Sequence, residues 1–261
     1  GWMFTHTVKK LPKNSYEIEV DIPWPTIEQS YDKAFEDLAK ELEVEGFRKG
    51  KAPKAVVERH LNRESVYQQV IRSLFPEIYA EIIRKENLKP IISPRVELKK
   101  AKDKEAWELI FTLAEKPEIQ LGDYKKVLAE VKKNQKKADI WVPGKDAPQE
   151  TEESKAKVQQ ELMNQMLSAL LKTVTMEISD FVLEEELNSK LSRIVDDIQK
   201  IGMTMDSYLQ SKNITMEQLR DQYKKEIEET HKLELTLNEV AEKEGITVEN
   251  AELEKLFSSV K

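Results

Sequence analysis

The chain has 261 residues, of which 35% are charged and only 7% aromatic, with a formal net charge of −7 and no cysteine. That length is enough for two ordinary domains. The missing cysteines exclude disulfides, thiol nucleophiles and Cys-ligated metal, and no apolar run is long enough to span a membrane. The charge is sorted along the chain: residues 1–149 carry a surplus of three positive charges, residues 150–261 a surplus of ten negative ones. Such asymmetry predicts halves with different partners.

Residues 3–10 and 15–22 alternate as strands do, with Lys13-Asn14 as the turn between them. Thr26 is placed to cap a helix running to about Glu43, along which Ile27, Tyr31, Ala34, Phe35, Leu38 and Leu42 share a face. A loop follows, then a short helix (54–61) opened by Pro53. A longer helix (64–87) has Val66, Val70, Leu74, Ile78 and Ile82 as its seam and Pro76 as a candidate kink. Residues 90–99 and 106–115 read as two more strands. Two strands, helices and two strands predict an α+β domain, an antiparallel sheet with helices on one face.

Residues 116–154 lose the pattern and read as an extended linker, with a short strand considered at Val127–Val131. From 155 to 261 the chain reads as all-α. Its predicted faces run through Val158, Leu162, Leu167 and Leu170, through Phe181 to Ile201, and through Leu219 to Val240. Gly202 and Gly245 are helix stops, and Val248–Phe257 is a last short helix.

The most specific stretch is the loop Gly46-Phe47-Arg48-Lys49-Gly50-Lys51-Ala52-Pro53. Its glycines and proline fix a non-helical turn, and an aromatic ring and three cations stand inside it. An apolar ring flanked by positive charge suits a surface that offers both a protein pocket and nucleic-acid phosphate.

This loop matches at every fixed position the ribosome-docking motif Gly-Phe-Arg-x-Gly-x-x-Pro of bacterial trigger factors. The first 125 or so residues resemble that family's ribosome-binding domain, including the helices on either side of the loop and the exit segment Glu115–Tyr124. Residues 155–257 resemble its helical C-terminal domain more weakly, best over Leu167–Leu187. The family's FKBP-like prolyl isomerase domain has no counterpart: about 30 residues stand where it would be, with Trp141 as their one aromatic.

The resemblance implies a cytoplasmic, ATP-independent chaperone without cofactor or enzymatic activity. Residues 1–115 would bind the ribosome and residues 155–261 would hold clients. Gly46, Phe47, Arg48, Lys49, Gly50, Lys51 and Pro53 would dock on an exit-tunnel protein and adjacent rRNA. Nascent or unfolded polypeptides would be the clients, and a homodimer off the ribosome is left open.

Six of the seven methionines lie between 163 and 216. Core filling is the ordinary role of each, but flexible thioethers on a helical surface also adapt to many apolar clients. Met163, Met166, Met203, Met205, Tyr208 and Met216 are therefore the candidate client contacts, with Met203 and Met205 expected to be the most exposed. The three histidines lie far apart, and neither they nor Glu184-Glu185-Glu186 predict a metal or catalytic centre. A ribosome-free holdase, a prolyl isomerase and a general RNA binder are the competing readings.

Overall fold

The computed structural model describes residues 1–138, 151–249 and 255–256, in two compact units, Gly1–Lys116 and Pro117–Lys261. In the first unit β1 (Thr5–Leu11), β2 (Ser15–Ile22), β3 (Arg95–Lys100) and β4 (Trp107–Ala114) form one antiparallel sheet in the order β1-β2-β4-β3. Alternation decides which face is buried. Ile18, Val20 and Ile22 lie opposite Phe111, Leu109 and Trp107, and all six are buried. Onto this face pack α1 (Trp24–Glu41) and α3 (Arg63–Lys85), whose Val66, Val70, Leu74, Ile78 and Ile82 recur every fourth residue. The opposite face carries Glu17, Glu19, Asp21 and Glu108, with Asp21 directly across from Glu108.

The predicted α+β architecture is the observed one, with local differences. Helix α1 starts at Trp24, with Pro23 as its cap and Pro25 in its first turn, where no amide hydrogen is needed. Thr26 is inside the helix, and its hydroxyl donates to the Met3 carbonyl at 2.7 Å. Pro76 does not interrupt α3: it is exposed, as is Arg72, whose carbonyl its ring frees. Strand β3 begins only after Pro94, since a proline nitrogen cannot join the ladder.

The largest correction falls on the extended linker, because residues 124–138 of it are helical. Helix α4 (Tyr124–Ala138) occupies the region where a Val127–Val131 strand was considered. The side chain of Asp123 accepts from the Lys126 amide at 3.4 Å at its start. Tyr124, Leu128 and Val131 then fall at helical spacing and join a core with Met166, Leu170 and Val240. The lysines that suggested a linker belong to the helix's solvent side, where they need no partner.

The rest of this unit is helical: α5 (Glu152–Thr173), α6 (Asp180–Lys200), α7 (Met205–Lys212) and α8 (Met216–Glu244). Each starts at a Ser or Thr whose hydroxyl accepts from a first-turn amide, and Thr151 and Thr215 complete reciprocal capping boxes. Gly245 ends α8 in the left-handed conformation. Two residues assigned to buried seams are exposed: Val158, on the bare first half of α5, and Ile201, which caps α6 beyond its packed turns. Most of the predicted Val248–Phe257 helix lies outside the described residues.

A polar latch joins α4 to α8. The Tyr124 hydroxyl donates to Glu244, and Lys125 reaches the same carboxylate at 3.2 Å. The Tyr124 hydrogen bond, helped by Lys125, holds the Glu244 carboxyl below the ordinary value of 4.5, while burial and Glu244 raise the Tyr124 phenol above its ordinary 10.0. A depressed carboxyl contributes stability above its unfolded value and loses it as pH falls through its folded one. A raised phenol contributes stability below its unfolded value and loses it as pH rises past it. Glu244→Gln is therefore expected to lower the urea midpoint at neutral pH, and the gap to the parent to close at about pH 3. A gap that persists in acid would show that the latch acts through shape and not through charge.

Candidate functional site

The cationic loop is built from the end of α1 outward. The helix stops at Glu41, and the Phe47 amide donates to the Val44 carbonyl at 3.0 Å, closing a turn at which Gly46 has φ +91°. The chain then returns to the helix end, where the Gly50 amide donates to the Leu42 carbonyl at 3.1 Å. Gly50 has φ +76°, and a Cβ there would lie 2.6 Å from the Lys40 carbonyl oxygen. Only glycine fits this close approach. The Lys51 amide donates to Arg48 at 2.9 Å, and the Pro53 carbonyl accepts from Val56 and Val57 to begin α2 (Lys54–His60).

Phe47 is thereby presented at the loop with 44% of its surface exposed, and Arg48, Lys49 and Lys51 are exposed beside it. Lys49 is paired with Glu41 at 3.0 Å, whereas Arg48 and Lys51 make no ion pair among the described residues. Lys54 and Arg59 extend the positive surface along α2.

The far side of α2 is braced. Asn62 caps α3 through its carbonyl oxygen, which accepts from Ser65 at 2.8 Å. Arg63 donates to the Tyr67 hydroxyl at 2.9 Å and to Asp103 at 2.8 Å, and its guanidinium lies 5.6 Å from the ring centres of both Tyr31 and Tyr67. This brace joins α1, α3 and the β3–β4 connection, and so fixes the ends between which the loop is strung. The basic run 46–63 shows Arg63 only as another cation; its structural use depends on Tyr31 and Asp103, too distant in sequence to be foreseen.

The structure separates the methionines. Met166 is buried in the α4–α5–α8 core, and Met163 packs against that core. Met203, Met205 and Tyr208 are half-buried, while Met216 is 40% exposed. Met203 and Met205 are therefore not the most exposed methionines. The open apolar position near them is Ile201, at 71% exposure, which its seam spacing concealed. Tyr208 is engaged by Lys212, whose ammonium lies 5.0 Å from the ring centre and whose hydrogen bond lowers the phenol's pKa.

His6 and His231 pair with Glu86 and Glu186, and His60 bonds the Val56 carbonyl. Among the described residues no group of three His, Cys, Asp or Glu side chains could hold a metal ion. No helix among them is long and apolar enough to cross a membrane.

The family model for bacterial trigger factor protein matches residues 4–141, and that for the bacterial trigger factor C-terminus matches residues 147–260. Among curated proteins, the trigger factor of Moorella thermoacetica is 36% identical over 117 residues, covering 45% of this chain and 26% of the relative. That of Mycolicibacterium vanbaalenii is 39% identical over 119 residues, covering 45% and 25%. That of Halalkalibacterium halodurans is 35% identical over 144 residues, covering 54% and 32%. These matches span only about a quarter to a third of the relatives' own length. A solved structure reported under "Promiscuous Substrate Recognition in Folding and Assembly Activities of the Trigger Factor Chaperone" shares the fold. Its TM-score is 0.58 at 20% identity, over 95% of this chain and 88% of that one. With both family models matched in order along its length, the chain belongs to the bacterial trigger factor family.

Proposed function

We propose that this chain is an ATP-independent chaperone that docks beside the ribosomal exit tunnel through the 46–53 loop and shields emerging polypeptides with its helical unit. The observation that carries the reading is the clamped loop. Gly50 pins it to the end of α1, so Phe47 and the unpaired Arg48 are offered together without a large ordering cost on binding. Phe47 fills an apolar notch of a ribosomal protein, while Arg48, Lys49 and Lys51 meet rRNA phosphate or acidic side chains. Gly46, Gly50 and Pro53 set the shape.

Docking raises the local concentration of the helical unit near the nascent chain, so weak contacts suffice. The exposed Ile201 and Met216, with half-buried Met163, Met203, Met205 and Tyr208, supply adaptable apolar surface. Met166 takes part only in the core. The C-terminal family match starts at residue 147, directly after the N-terminal one ends at 141, which supports a form acting without a prolyl isomerase domain. The acidic second half is repelled by rRNA, which leaves docking to the loop.

Co-sedimentation with bacterial ribosomes tests this. The parent is expected in the pellet, and the Phe47/Arg48/Lys49→Ala variant in the supernatant with its circular dichroism unchanged. Both proteins in the supernatant would favour a ribosome-free holdase. Equal pelleting that vanishes with modest salt would point to unspecific RNA binding.

A further inference from the structure

The chain is rich in charge, yet one groove of the helical unit is almost free of it. The groove runs between α4 and α5 with a volume of about 680 Å³. Val127, Val131 and Asn134 line it from α4, at the spacing of one helix face; Asn164 and Ser168 line it from α5. Glu161 and Lys172 are its two charged residues, and the rest of its lining is uncharged. A groove of similar volume, about 720 Å³, is the opposite: Glu186, Lys190, Arg193 and Glu226 are among its walls. Ion pairs already cross that one, Lys190 to Glu226 at 3.0 Å and His231 to Glu186 at 3.3 Å.

We propose that the α4–α5 groove receives an extended, uncharged segment of unfolded polypeptide. The proposal rests on the chaperone reading above and gives the client a second seat, away from the methionines. Asn134, Asn164 and Ser168 are exposed, while Val127 and Val131 are half-buried. Amide and hydroxyl side chains both donate and accept, so they match a peptide backbone without reading its side chains. Asn164 is partly oriented already, since its carbonyl oxygen accepts from Gln160 at 3.2 Å, which leaves its NH₂ for a client carbonyl. The valines supply apolar contact, and the lack of charge spares the client the cost of facing a desolvated ion.

The length is set by α5. Glu161 and Lys172 are about 16 Å apart along the helix axis, the span of about five residues of extended chain. A basic flank of the client would sit toward Glu161 and an acidic flank toward Lys172. A helical client fits poorly. It satisfies its own backbone groups and seeks a continuous apolar trough, whereas this groove alternates valine with amide.

The test uses the full chain and a fluorescein-labelled peptide of alternating serine and valine, read by fluorescence anisotropy. Ser168→Lys puts a charge into the groove and is expected to weaken binding at least about ten-fold, with Gln159→Lys, on α5 outside the lining, binding as the parent does. Because the chain has no cysteine, Ser168→Cys carries a benzophenone label at one site only. That label is expected to cross-link to the peptide, and one at Gln159→Cys is not. Unchanged affinity in Ser168→Lys, or equal cross-linking at both positions, overturns the groove and leaves the chaperone reading standing. Tighter binding of an amphipathic helical peptide at the same label also overturns it. No binding of the peptide by the parent removes the groove, while ribosome co-sedimentation separately decides the docking reading.

Discussion

Gly50→Ala is expected to cost at least ten-fold in ribosome affinity, as about 1.4 kcal/mol or more of lost docking free energy would give, while the protein remains folded. Two effects act together. The left-handed φ of +76° is strained for any residue with a Cβ, by about 1–2 kcal/mol. The added methyl also meets the Lys40 carbonyl oxygen at 2.6 Å, a backbone atom of a packed helix that cannot swing aside. The loop must then leave its hydrogen bond to Leu42, and Phe47 and Arg48 lose their fixed relation. Gly46→Ala is the informative comparison. Its φ is +91°, but nothing lies within 4 Å of the new methyl, so it bears the backbone strain alone and should lose less. Titration of each variant against ribosomes checks this. Equal losses would mean that loop flexibility matters and the clamp does not.

Phe111→Ala should have the largest effect on stability, about 3–5 kcal/mol. Phe111 is fully buried in β4, opposite Ile18 of β2 and Val96 of β3, with the Tyr79 ring 5.0 Å from its own. Its removal leaves a cavity where the two strands and α3 meet, and a rigid sheet cannot close around it. A domain is stable by only about 5–15 kcal/mol, so the loss is a large share of the whole. Urea unfolding followed by tryptophan fluorescence reads it, since Trp107 is buried in the same core. A shift below about 1 kcal/mol would mean that α3 settles into the gap.

The sheet unit was legible because its signals are local and repeated. The alternation of Ile18, Val20 and Ile22 and the four-residue seam of α3 each point to one buried face, and the structure buries both. Docking-loop geometry was legible in outline, since Gly46 and Gly50 announce positive φ. What Gly50 touches was not, because Lys40 approaches it only once α1 is formed. Helix α4 was missed for a physical reason: its lysines outnumber its few buried residues, and Tyr124, Leu128 and Val131 gain their value only against Met166 and Val240. Ile201 was misjudged in the opposite sense, since periodicity continues through a helix end but packing need not.

The acidic strand face of the first unit has a kinetic consequence. Glu17, Glu19, Asp21 and Glu108 lie on the side of the sheet that α1 and α3 leave bare, while the cations of the unit gather in the loop and along α2. The unit is therefore an electric dipole as well as a weak net charge. Near a polyanionic surface it experiences a torque before it touches anything, turning its acidic face away and its loop forward. Most encounters would then begin in a productive orientation, and salt would slow arrival more than it hastens departure.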